Sequence, residues 1–363
     1  MSLRTFSERI IYGRYEKKYI EILLIPLLLI SLLYKCGVQL RYWLYKRGIF
    51  RSKELPCEVI SIGNISLGGS GKTPTTYYIA NLLKENQIRV AVLSRGYKSK
   101  ANNRINLVSD GNRVLLSPMQ AGDEPYMLAK RLNGVPVLTS KDRYHMGKYA
   151  IKHFKSSALI LDDGFQHIGL KRDMDILLID PNTLNGQNYL FPRGILREPI
   201  KSIKRADLYL ITKVKDENEY EKLSRKIRDI KEDAKTFYVY FKAEDLIDSN
   251  GENKGLDYLK DKRVLAFSGI ANPQHFIALL KEQGAIVVEE LIFPDHHWYS
   301  SDDYKKIERI SKQLDFSVTT EKDIMKMGSS FFHKVKAFAL TIGLCIDREE
   351  DFKASLLSKV LNP

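Results

Sequence analysis

The chain has 363 residues, 44% hydrophobic and 28% charged, with a formal net charge of +14. That length is a prior for two domains, and the composition is that of a globular protein with a sizeable core. Three cysteines, Cys36, Cys57 and Cys345, lie far apart and are odd in number; they exclude a disulfide or zinc framework and fit a reducing compartment.

Half of the positive excess sits at the front. Residues 1–55 carry 11 Lys and Arg against 4 Asp and Glu, a net of +7, and the same segment holds the most apolar stretch, YIEILLIPLLLISLLYKCGVQLRYWLYKRGIF (19–50). A signal peptide would end in small residues at a cleavage site; here Tyr34 and Lys35 follow the apolar core. A spanning helix needs about 20 apolar residues. The run from Ile22 to Tyr34 is shorter and contains Pro26. An interfacial pair of helices fits better, with an apolar stripe, flanking basic residues, and Tyr34, Tyr42 and Trp43 at headgroup level. Nucleic acid is not an expected partner, because these basic residues alternate with aliphatics and not with stacking aromatics.

Next comes a short apolar strand, CEVISIGNIS (57–66), then a glycine loop and a helix over 73–86. Strands are expected at 89–97, 135–140, 158–167, 174–180 and 206–214, and helices at 123–132 and 142–154. Runs of Val, Ile and Leu without polar alternation are what a parallel sheet covered on both faces requires. Their alternation with helices predicts a doubly wound, mainly parallel α/β sheet. A charged helix (216–235), a strand (237–248) suited to a hinge ribbon, and a second α/β set from 263 follow. The reading is therefore an amphipathic start (1–50), a nucleotide domain (51–235) and a smaller C-terminal α/β domain (236–363).

The loop Ser66, Leu67, Gly68, Gly69, Ser70, Gly71, Lys72, Thr73 matches the phosphate-loop pattern G-x-x-x-x-G-K-[ST] except at its first glycine. Its glycines let backbone N–H groups converge on phosphate oxygens. Lys72 supplies a point charge, and the Thr73 hydroxyl is a candidate ligand for Mg²⁺. Pro74 is tolerated in a helix's first turn. Asp162 and Asp163, ending the strand ALILDDGFQH, sit where α/β sheets bind ligands, and Asp162 suits Mg²⁺. In AGDEPYM, Asp123 and Glu124 also read as an ordinary acidic helix start. In IFPDHHWYS, His296 and His297 should point opposite ways. One histidine oriented by a carboxylate is a general-base arrangement.

GNISLGGSGKTP, VLSRGYKSK, AGDEPYMLAKR, LILDDGFQH, FPRGILREP, SGIANPQHF, FPDHHWYS and TTEKDIMK stand in an order that resembles the tetraacyldisaccharide 4′-kinases, the lipid A 4′-kinases of Gram-negative bacteria. The resemblance runs from about residue 10 to about 350, and Ser66 resembles that family's own variant of the loop. It implies transfer of the ATP γ-phosphate to the 4′-hydroxyl of a tetraacylated disaccharide 1-phosphate, a lipid A precursor. It also implies a peripheral or monotopic enzyme, expected as a monomer, on the cytoplasmic face of the inner membrane. Two α/β domains joined by a β-ribbon would close around nucleotide. Asp123 and His296 match a catalytic dyad, with Lys72 on the phosphates. Glu124, Asp162 and Asp163 match residues around Mg²⁺. Arg95, Tyr97, Gln166, His167, Arg197 and Asp295 match further active-site or substrate positions. One dyad member would come from each domain, so that closure assembles it. A membrane-recruited ATPase or GTPase switch would also explain the loop and the basic start, but would leave GDEP and Asp295–His296 without a task.

Overall fold

A computed structural model describes residues 24–361, apart from 97, 98, 102, 187, 249, 250 and 328. Tyr97 and the first part of the amphipathic region (1–23) therefore lie outside the described residues.

Among the described residues the front of the chain forms the helix α1 (Ile25–Lys46); residues 1–23 of the segment expected to hold a pair of helices lie outside them. Pro26 falls in the first turn of α1, where a missing N–H leaves no bond unmade; it starts the helix instead of breaking an apolar run. No helix among the described residues is long and apolar enough to cross a membrane. The usual polarity of a surface helix is inverted in α1. Ser31 is buried and donates to Leu190 O at 2.8 Å while accepting from Arg193 N at 2.9 Å. Leu29 and Leu33 are 57% and 74% exposed.

The described chain divides into two compact units, one of residues 1–95, 142–240 and 346–363, the other of 96–141 and 241–345. A single cut near residue 235 does not describe them, because the chain passes between the units four times. The last helix, α12 (Glu349–Leu361), belongs to the first unit because Phe352 is fully buried against Phe237, with ring centroids 5.4 Å apart.

The first unit holds the strands β1 (Glu58–Gly63), β2 (Val90–Ser94), β5 (Ala158–Asp162), β6 (Met174–Ile179), β7 (Leu208–Thr212) and the first half of β8 (Lys235–Ile247). Their order is β8-β7-β6-β1-β5-β2, and their registered pairs are parallel. The aliphatic runs are buried along their whole length, as a sheet covered on both faces demands. β1 lies between β5 and β6, so later strands are added on both sides of it. Its register with β5, Ile62 opposite Asp162, brings the glycine loop beside the aspartate pair at one carboxyl edge. Helix α2 (Lys72–Glu85) follows that loop, and α5 (Arg143–Phe154) and α7 (Glu217–Arg228) complete the alternation.

The second unit contains a parallel set in the order β10-β9-β11-β12, from β9 (Arg263–Ser268), β10 (Ile286–Ile292), β11 (Phe316–Thr320) and β12 (Ala337–Ile346). It also holds the antiparallel pair β3 (Asn106–Ser109) and β4 (Val137–Thr139). Helix α4 (Asp123–Arg131) is tied into this unit by Arg131, which reaches Glu244 at 2.7 Å and Glu321 at 3.2 Å. Val264, Ala266, Leu280, Val318 and Leu340 form its core.

Candidate active site

In the first unit, the phosphate loop leaves β1 and enters α2 at Lys72. Gly71 caps the helix with φ of +90°, a conformation that costs a non-glycine residue about 1–2 kcal/mol. Ser66, the odd residue of the motif, needs no such freedom. It forms a bridge with Leu196, and its hydroxyl accepts from Thr183 Oγ1 at 3.0 Å. Leu67 N donates to Ile195 O and Arg197 N to Ile65 O, each at 2.7 Å. The start of the loop is thus laced to residues 195–197 as extended chain, and a serine is accommodated there. Gly68 and Gly69 are exposed, while Ser70 and Thr73 are buried.

Lys72 Nζ reaches Asn64 Oδ1 at 3.3 Å and Asp163 Oδ1 at 3.5 Å. Arg197 Nη1 donates to both oxygens of Asp163, at 3.1 and 3.0 Å. Burial pushes the Asp163 carboxyl up, but Lys72 and Arg197 more than offset it and hold it below the usual carboxylate range. Asp162 accepts from Thr76 Oγ1 at 3.3 Å and Ser94 Oγ at 3.0 Å. Arg143, buried on α5, donates to Asp162 O at 3.4 Å. Burial pushes its guanidinium down to about 10, against the pull of the two aspartates, so it is still a cation at neutral pH. Gln166 donates to Asn64 O at 2.8 Å. Two buried polar atoms beside the loop, Ser70 Oγ and Asn64 Nδ2, have no partner among the described residues. Unsatisfied buried donors cost about 1–3 kcal/mol each, and an anion with several acceptor oxygens would relieve them. This donor set fits a phosphate chain.

Among the described residues no group of three or more His, Cys, Asp or Glu could hold a metal ion. Mg²⁺ on a nucleotide needs no such cage; it takes one or two protein oxygens with phosphates and water. Thr73, Asp162 and Asp163 supply oxygens of the right kind. Arg95 is exposed at the end of β2.

His167 is half-buried, and burial, then Arg143, Arg41 and Arg172, push its imidazole down to about 4. A depressed histidine is neutral in the folded state while the unfolded chain takes a proton near pH 6.5, so its contribution is intact above that pH and lost as pH falls from about 6.5 to about 4. The expected result is that His167→Gln flattens the acid limb. Its unfolding free energy from urea titration should fall less than the parent's over that window, by roughly 1–2 kcal/mol after allowing for partial exposure.

In the second unit, α4 begins at Asp123 because Gly122 takes φ of +89°, which turns the chain sharply out of the short helix α3 (Pro118–Ala121). Asp123 is buried, and its Oδ2 lies 3.0 Å from His296 Nδ1. Burial raises its carboxyl, but the hydrogen bond from His296 and the charges of Lys326, His296 and Lys322 bring it below the ordinary value. His296 sits at φ of +60°, and its neighbour His297 pairs with Asp303 at 2.9 Å. The two histidines serve different partners, as expected, but a turn at Asp295–His296 and not an extended segment separates them. Asp123 and His296 belong to one unit, so the expectation that each comes from a different domain is corrected; no closure is needed to form their bond. Glu124 is the next residue of α4. Asp295 receives Lys322 Nζ at 3.0 Å.

Sequence reasoning assigned no task to Asn64, Thr76, Ser94, Arg143, Lys322 and Lys326. TTEKDIMK did carry a signal, since two lysines four apart flank Asp323, but lysine is so common on surfaces that spacing alone does not separate a buried pair from a solvated one.

Fold and site define a mainly parallel α/β protein with a glycine loop and a cluster of polar donors at the carboxyl edge of its sheet, a layout that suits nucleotide-handling proteins of this class. A family model described as LpxK, tetraacyldisaccharide-1-P 4′-kinase, matches residues 22–361. The chain belongs to that family, and it is a kinase. The tetraacyldisaccharide 4′-kinase of Desulfotalea psychrophila is 42% identical over 304 residues, 83% of this chain and 87% of that protein. That of Syntrophus aciditrophicus is 40% identical over 338 residues, 90% of each. The crystal structure of the "apo" form of LpxK from Aquifex aeolicus in complex with ATP superposes with a TM-score of 0.76 at 35% identity, covering 94% of this chain and 99% of that one.

Proposed function

We propose that the chain transfers the γ-phosphate of ATP to the 4′-hydroxyl of tetraacyldisaccharide 1-phosphate, a step of lipid A assembly, with Asp123 and His296 receiving the hydroxyl proton. The observation that carries this reading is the buried, hydrogen-bonded Asp123–His296 pair, 3.0 Å apart. A P-loop switch has no use for such a pair, whereas a kinase acting on an alcohol needs a base aimed at the acceptor. The loop amides and Lys72 would hold the phosphates. Thr73 with Asp162, Asp163 and Glu124 are the oxygens proposed for Mg²⁺, which neutralises phosphate charge when bound. Gln166, His167, Arg197, Arg95, Tyr97 and Asp295 are proposed around nucleotide or acceptor. The deciding experiment incubates the protein with γ-labelled ATP, Mg²⁺ and the lipid disaccharide. Label at the 4′ position supports the reading; ATP hydrolysis with no labelled lipid would overturn it.

A tetraacylated acceptor leaves a bilayer at about 0.8 kcal/mol per CH₂, so the enzyme is expected to come to the lipid, on the cytoplasmic face of the inner membrane. The outward Leu29 and Leu33 of α1, with Arg41, Lys46 and Arg47 on the same helix or just past it, support this. Replacing Leu29, Leu33 and Trp43 together by serine should cut co-sedimentation with anionic vesicles by at least about tenfold, since three exposed apolar side chains withdraw several kcal/mol of burial. Unchanged sedimentation would refute the anchor.

A further inference from the structure

The Asp123–His296 pair is held by two lysines of TTEKDIMK. Lys326, just past the short helix α10 (Glu321–Ile324), has a side chain with no exposed surface. Its Nζ lies 3.4 Å from Asp123 Oδ2 and 3.3 Å from Asp323 Oδ1. Asp323 in turn accepts from Gly269 N at 2.9 Å and Thr320 Oγ1 at 2.7 Å through its other oxygen. Gly269 closes the circuit, because its carbonyl accepts the backbone N–H of His296 at 3.1 Å. One buried cation is therefore shared by the Asp123 carboxylate and by the carboxylate that fixes the turn carrying His296.

Lys322, one helical turn earlier, approaches the other face of the pair. Its Nζ is 3.0 Å from Asp295 Oδ1 and 3.3 Å from His296 Nε2. An ammonium only donates and a carboxylate only accepts. An imidazole placed between Lys322 and Asp123 must then accept at Nε2 and donate from Nδ1. The lysine selects the ring tautomer, and with it the direction of the bond to Asp123.

We propose that Lys326 and Lys322 are positioning residues of the phosphotransfer site: Lys326 aims and balances the Asp123 carboxylate, and Lys322 holds His296 as the Nδ1–H tautomer. This rests on the reading of Asp123 and His296 as the proton-accepting pair. Neither lysine belongs to the phosphate loop, so their loss should be felt in turnover and not in nucleotide affinity.

The test measures lipid 4′-phosphorylation by the full chain carrying Lys322→Met, Lys326→Met or Lys322→Arg, beside Asp123→Asn and His296→Gln. Both methionine variants should lose about 10–100-fold in kcat, the scale at which partners that orient a functional imidazole act, with KM for ATP within about twofold. Lys322→Arg, also a pure donor, should recover part of the loss. In protein labelled with ¹⁵N-histidine, the His296 ring should show the Nδ1–H pattern in the parent and in Lys322→Arg, and a tautomer mixture in Lys322→Met. Near-parental kcat in both methionine variants, or an unchanged ring pattern in Lys322→Met, would overturn the proposal. If Lys326→Met does not fold, Lys322→Met, at a less buried place, decides alone. Full activity in Asp123→Asn and His296→Gln would instead sink the reading of the pair itself, while inactive pair variants beside active lysine variants would sink only the positioning roles.

Discussion

Asp123→Asn is expected to lower kcat for lipid phosphorylation by about 10²–10⁴-fold, the usual worth of a positioned base, and to leave ATP binding within a factor of about two. The asparagine keeps the shape, and its oxygen still accepts from His296 Nδ1, so the imidazole stays in place. What is lost is the negative charge and the ability to take up a proton. A structural cost runs in parallel, because Lys326 loses one of its two carboxylates. Asp323 remains 3.3 Å away, so the buried cation is not orphaned and the loss of stability should be about 1–3 kcal/mol. A stability loss of that size leaves most of the protein folded, so the kinetic effect dominates. Single-turnover phosphorylation at saturating ATP, with nucleotide affinity by calorimetry, separates the two. Turnover within a few-fold of the parent would remove Asp123 from the chemistry.

Lys72→Met should reduce kcat/KM by about 10²–10³-fold, comparable to removing one fixed electrostatic contact from a developing anion. In this structure the Lys72 ammonium lies on Asn64 and Asp163, one side chain's reach from the loop amides. Asp163 keeps Arg197 at 3.0 Å when Lys72 is gone, and the site is partly open to solvent, so folding should change by less than about 1 kcal/mol. The expected pattern is a folded protein with a normal melting transition and weak, slow use of ATP. Normal kcat/KM in Lys72→Met would show that the loop does not hold the transferred phosphate.

Local order was legible along most of the chain because each signal is local. Uniform aliphatic runs at 158–161 and 176–179 must be buried on both faces, and they lie in central strands. Gly-Lys-Thr after such a run marks a helix start, and α2 begins at Lys72. Boundaries drifted where charge blurs the helical signal; the helix expected over 216–235 ends at Arg228, and Ile230 and Ala234 beyond it still pack into the core without helical structure.

The sequence by itself determined the class of fold and the family, and it named the candidates: the glycine loop despite Ser66, Asp123 and His296, since each is a matter of residue type, spacing or order. Only the tertiary structure decided which groups meet. It brought residues 96–141 together with 241–345, so that Asp123 and His296, separated by 173 positions, bond within one unit. It turned two ordinary-looking lysines into buried partners of that pair. It also turned a serine in an apolar helix into a docking point and left leucines facing out. The physical reason is the same in each case. Burial and pairing of a charge or hydroxyl depend on what a distant segment places beside it, and no local pattern carries that information.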